Sequence, residues 1–92
     1  MRLSDEQIQA ELTRVHGWEL KDGAISRTFQ FADFKTAMAF VNRVAELAET
    51  LNHHPDILIT YNTVKLSVFT HSEGGLTPKD FQLAREVNKI AS

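Results

Sequence analysis

Two runs of alternating residues constrain this chain more than any other feature. They are Asp56-Ile57-Leu58-Ile59-Thr60-Tyr61 and Val64-Lys65-Leu66-Ser67-Val68-Phe69-Thr70, separated only by Asn62-Thr63. Alternation with a period of two describes a strand with one buried face, and so short a connection brings the two strands back as an antiparallel hairpin. With Asn62 and Thr63 as the loop, Tyr61 faces Val64, Ile59 faces Leu66 and Ile57 faces Val68, which puts six apolar side chains on one face. A slip of one residue would scatter them. Carried outward, the same pairing sets His54 against His71 across the open end of the hairpin.

A second hairpin precedes the first. Trp18 to Leu20 and Ile25 to Phe31 flank Lys21-Asp22-Gly23, and Asp-Gly favours a tight turn between strands. Three helices complete the pattern. Ser4 with Gln7 has the form of a capping box, and Ile8, Leu12 and Val15 give residues 4–15 a helical period that Gly17 ends. Asp33 caps a long helix striped by Phe34, Ala37, Met38, Val41, Val44, Ala45, Ala48 and Leu51, widened by Phe40 and Leu47; it stops near Asn52 because Pro55 forces His54 toward extended geometry. Thr77-Pro78-Lys79-Asp80 opens a last helix striped by Phe81, Ala84, Val87 and Ile90, after a Ser72-Glu73-Gly74-Gly75 loop. The order α-β-β-α-β-β-α predicts an α+β fold of two layers, a four-stranded, mainly antiparallel sheet with three helices on one face.

Ninety-two residues suffice for one domain spanning 1–92, and a core this small leaves apolar surface for another subunit, so a homo-oligomer is expected. A net charge of −2 with no basic stripe argues against direct nucleic-acid binding. Zero cysteines exclude disulfides, thiolate zinc sites and a cysteine nucleophile. No apolar run is long enough to span a bilayer and none marks the start as a leader, so the expectation is a cytoplasmic protein without membrane contact.

Chemistry gathers at the histidines. Three of the four, His53, His54 and His71, meet at one helix–strand junction if the hairpin register holds. Imidazoles titrate near neutrality and suit general acid–base work. A metal site using Glu49, Asp56 or Glu73 competes with that reading, but His53 and His54 are adjacent, should diverge, and belong to no His-Glu-x-x-His helix. Ser67 and Ser72 sit on no strained elbow, Gly74-Gly75 lacks the strand-to-helix setting of a dinucleotide site, and no P-loop is present, so neither covalent acyl chemistry nor a cofactor is implied. Trp18 reads as a core or interface side chain and His16 as a solvent-facing helix end.

Glu49-x-x-x-His53-His54-Pro55, followed by Tyr61, His71 and Asp80, resembles the signature of the pterin-4a-carbinolamine dehydratases. Gly17-Trp18, Phe31-x-x-Phe34, Thr70-His71 and Gly75-Leu76-Thr77 extend the resemblance over essentially the whole chain. It implies a lyase that eliminates water from 4a-hydroxytetrahydropterin to give quinonoid dihydropterin, without cofactor or metal, and with a functional link to an aromatic amino acid hydroxylase. It further implies His53 and His71 as the acid–base pair and His54 as a pterin-orienting or assisting group. Ser67, Phe69 and Thr70 would line the pocket; Asp80 would contribute a supporting acid to substrate binding, though its place in the first turn of the last helix equally suits simple capping, and Glu49, one turn before the end of the long helix, would hold His53 or pair with solvent. A dimer or homotetramer follows from the same resemblance. So does an alternative role as a protein-interaction module, since animal members also bind a homeodomain activator.

Overall fold

The computed structural model describes residues 1–91. Its elements run α1 (Asp5–Leu12), β1 (Glu19–Lys21), β2 (Ala24–Gln30), α2 (Phe34–Leu51), β3 (Asp56–Thr60), β4 (Thr63–Val68), a 3₁₀ turn (His71–Glu73) and α3 (Pro78–Ala91). The predicted α-β-β-α-β-β-α order and the four-stranded sheet are both present. All strand pairs are antiparallel, in the spatial order β1-β2-β4-β3.

Local chemistry sets most of the boundaries. Ser4 Oγ accepts from the Gln7 N–H at 3.2 Å while Gln7 Oε1 accepts from the Ser4 N–H at 2.8 Å, which is the predicted capping box. The helix nevertheless ends at Leu12, short of residue 15, because the Thr13 hydroxyl donates to Ala10 O at 2.7 Å and the chain passes into turns. Gly17 completes the reversal with φ +86°, and a Cβ there would come within 2.7 Å of Arg27 Nε. That guanidinium is itself held by His16 O and Asn88 Oδ1. The Asp22-Gly23 turn has positive φ at both residues, as a two-residue hairpin loop requires.

The long helix runs between its predicted caps. Asp33 Oδ1 accepts from the Thr36 N–H at 2.8 Å, and Asn52 closes the helix in the left-handed conformation. Hydrogen bonds from the Thr36 side chain and backbone hold the Asp33 carboxyl below its ordinary value. A depressed folded value contributes stability that is present above the unfolded value and lost as pH falls through the folded one. Thermal melts should therefore show Asp33→Ala less stable than the parent at neutral pH, with the gap shrinking once the solution is more acidic than the carboxylate range. An unchanged gap would mean that charge contributes nothing to the cap.

The sheet buries one face against the helices. Ile25, Phe29, Val64, Leu66 and Val68 point into a single cluster with Val44 of α2 and Phe81 of α3. Three expectations are corrected. The β3–β4 register pairs Thr60 with Thr63, Ile59 with Val64 and Ile57 with Leu66, so the loop is Tyr61-Asn62 and not Asn62-Thr63. Tyr61 has φ +50° and is 65% exposed, outside the core face assigned to it. Asn62 is tied to the end of β2, its Nδ2 donating to Phe31 O at 3.0 Å and its carbonyl accepting from the Phe31 N–H at 2.8 Å, which pins the turn one residue earlier. On α2, Phe34 and Ala45 are exposed whereas Phe40 is buried; on α3, fully buried Leu83 joins the stripe. Among the described residues no helix is long and apolar enough to cross a membrane.

Candidate active site

The end of α2 separates the adjacent histidines. After left-handed Asn52, the His53 N–H caps Ala48 O at 3.0 Å, and the chain straightens into Pro55 and β3. His53 turns inward, its side chain only 12% exposed, with Nε2 2.5 Å from Asp80 Oδ1. His54 turns outward, 55% exposed, with Nε2 2.5 Å from Glu49 Oε2. Glu49 therefore braces His54 and not His53; the five-residue step past the helix end brings the outward ring back over it.

Asp80 is completely buried in the first turn of α3, and its two oxygens have separate tasks. Oδ2 accepts from the Thr77 N–H and the Thr70 hydroxyl, each at 2.9 Å. Oδ1 meets His53. Capping and support of a histidine, which the sequence offers as alternatives, thus coexist in one carboxylate. Asp80 is buried and is not among the residues that line the cleft, which it meets through His53.

His71 lies beyond the ladder, which ends at Asp56 opposite Ser67, so it is not paired across from His54. It opens the 3₁₀ turn inside a closed bend, where Thr70 and Gly75 exchange backbone hydrogen bonds of 3.1 and 3.3 Å. Its ring packs on Phe69 with centroids 4.1 Å apart. The bend restores what the register lost: His53, His54 and His71 line one open cleft of about 290 Å³ with Asn52, Phe69, Thr70, Ser72 and Lys79. Ser67 is outside it, in a separate cleft on the outer sheet face with Asp56 and Lys65, because inward and outward side chains alternate along β4 and Phe69 alone borders both. From the sequence, Asn52 reads only as a helix cap, Lys79 as part of the opening of the last helix, and Ser72 as a serine near the histidines without a role. Their only signal is that each directly adjoins His53, His71 or Asp80 in sequence.

Hydrogen-bond bookkeeping orients His53. Two donors already point at Asp80 Oδ2, so as long as Asp80 is a carboxylate with Oδ1 turned to His53 the proton they share sits on Nε2. Nδ1 then remains as the ring nitrogen free to take or give a proton. Such an array suits proton transfer to and from a small planar ligand. Among the described residues no group of three or more His, Asp or Glu side chains is placed to hold a metal ion.

Known proteins bear on this geometry. A Thermomicrobium roseum protein provisionally named pterin-4-alpha-carbinolamine dehydratase is 52% identical over 91 residues, covering 99% of this chain and 98% of its own. A Sulfolobus acidocaldarius protein of the same provisional name is 40% identical, over 98% of this chain and 99% of its own. The crystal structure of a Brucella melitensis protein described as a transcriptional coactivator/pterin dehydratase superposes with a TM-score of 0.96 at 40% identity, covering 100% of both chains. A pterin dehydratase-like protein identified as a RuBisCO assembly factor in the alpha-carboxysome shares the fold, with a TM-score of 0.67 at 21% identity over 82% of this chain and 87% of its own. The profile described as Pterin 4 alpha carbinolamine dehydratase matches residues 1–90. With that match spanning nearly every residue, histidine cleft included, the chain belongs to the pterin-4a-carbinolamine dehydratase family.

Proposed function

We propose that the chain eliminates water from a 4a-hydroxytetrahydropterin, giving quinonoid dihydropterin, by proton transfer at the histidines of the cleft. The carrying observation is three imidazoles around one open cleft, one of them backed by a buried carboxylate, in a member of this family. The elimination breaks the C4a–O bond and forms a double bond between N5 and C4a. One proton must reach the departing hydroxyl and one must leave N5, so the reaction needs a donor and an acceptor on the same ligand. His53, through Nδ1, and His71 supply that pair. His54, steadied by Glu49 at the cleft mouth, orients the pterin, while Phe69 and Thr70 shape the wall.

The test is the dehydration of chemically generated 4a-hydroxytetrahydropterin, followed by ultraviolet absorbance with and without the protein. Acceleration is expected, and a folded protein that leaves the spontaneous rate unchanged would remove the reading. A second reading, a protein-interaction role, is favoured by the coactivator description of the Brucella protein and by Leu58 and Tyr61, which are 61% and 65% exposed. It would take over if the acceleration were absent.

A further inference from the structure

Beneath His53 lies a chain of hydrogen bonds whose direction can be worked out. The Lys79 N–H donates to Thr77 Oγ1 at 3.3 Å, and the hydroxyls of Thr77 and Thr70 are 2.8 Å apart. Thr70 Oγ1 is also 2.9 Å from Asp80 Oδ2. A carboxylate can only accept, so the single Thr70 proton goes to Asp80 and Thr77 must donate to Thr70. All three side chains are buried, Thr70 at 8%, Thr77 at 4% and Asp80 at 0% exposure, so water cannot readily substitute for a missing member.

Without the Thr70 hydroxyl, Oδ2 would keep only the Thr77 N–H, and the plane of the Asp80 carboxylate would rest on that one bond and on the His53 contact it has to orient. The Thr70 hydroxyl supplies the second donor on the same oxygen. We propose that Thr70 is a positioning residue: its hydroxyl locks the Asp80 carboxylate so that Oδ1 faces His53, and thereby keeps the His53 proton on Nε2 and the lone pair on Nδ1. Thr70 borders the cleft, but on this account it acts through Asp80 and His53 and not by contact with the ligand. The kinetic part of the inference rests on the dehydratase reading; the tautomer part does not.

The experiment pairs turnover with the ring-nitrogen NMR signals of His53 in protein labelled with ¹⁵N, at a pH where the ring is neutral, for the parent, Thr70→Val and Thr70→Ser. Valine keeps the shape and loses the hydroxyl; serine keeps the hydroxyl. Thr70→Val should lower kcat about tenfold, by analogy with other residues that orient a working histidine, and should move the His53 signals from the Nε2–H pattern toward a mixture. Thr70→Ser should restore both. A Thr70→Val protein that keeps parental turnover and a pure Nε2–H pattern would overturn the proposal, as would a parent protein whose His53 carries its proton on Nδ1. If the parent shows no dehydratase activity, the reading of function fails separately and the tautomer signals alone decide: a mixture in Thr70→Val supports the proposal and an unchanged pattern overturns it. Should Thr70→Val not fold, Thr70→Ala, which leaves a gap without a clash, is judged by the same signals.

Discussion

Replacing His53 or His71 by alanine is expected to lower dehydration turnover about 10²-fold or more, the usual scale for removing a general acid or base. The two variants should differ in stability. His71 is exposed, with its ring packed on Phe69, so its loss should change folding free energy by less than about 0.5 kcal/mol. His53 is 12% exposed and donates to a fully buried carboxylate, so truncation strips Asp80 of a partner and should cost about 1–3 kcal/mol. The absorbance assay with thermal melts on the same samples reads both quantities. Parental turnover in either variant would sink the acid–base assignment for that histidine. Equal destabilisation of the two would contradict the burial difference that separates them.

The adjacency of the three histidines was legible in the sequence, though by a route that the structure replaces. Alternation in 56–61 and 64–70 identifies which side chains point inward, but it is blind to a register shift of two, which leaves inward residues inward. The turn at Tyr61-Asn62 is chosen by bonds between Asn62 and Phe31, and those depend on β2 lying beside β4, a pairing between distant segments with no local signature. The histidine pairing across the hairpin mouth failed with the register, and the closed bend from Thr70 to Gly75 brings His71 to the cleft instead. Features decided within a few residues were read correctly: the Asp33 and Asn52 caps, the Asp22-Gly23 turn and the Ser4–Gln7 box. The first turn of α3 shows the boundary of that legibility. Thr77 and Asp80 are a visible cap pair, but nothing within four residues indicates that the second carboxylate oxygen reaches a histidine on another element.

Because Asp80 combines both tasks, two substitutions should pull them apart. Asp80→Ala leaves the Thr77 N–H, the Thr70 hydroxyl and His53 Nε2 without their acceptor in a buried place. The expected cost is about 3–5 kcal/mol, since each of the three donors left unpaired in a buried place costs about 1–3 kcal/mol. For a domain this small, where each kcal/mol moves the midpoint by roughly 4–8 °C, that corresponds to a fall in Tm of roughly 12 °C or more. Asp80→Asn has nearly the same shape and keeps one acceptor oxygen, which can face Thr77 and Thr70 as before. Its amide nitrogen would then face His53 as a donor, and two donors cannot share a hydrogen bond. The ring must present its lone pair at Nε2 and carry its proton on Nδ1, which reverses the nitrogen available to the cleft. Asp80→Asn should therefore melt close to the parent while losing turnover about 10²-fold or more, as when an amide replaces the carboxylate behind a catalytic histidine elsewhere. An Asp80→Asn protein that is active as well as stable would mean that His53 works in either tautomer, and that the carboxylate serves the helix alone.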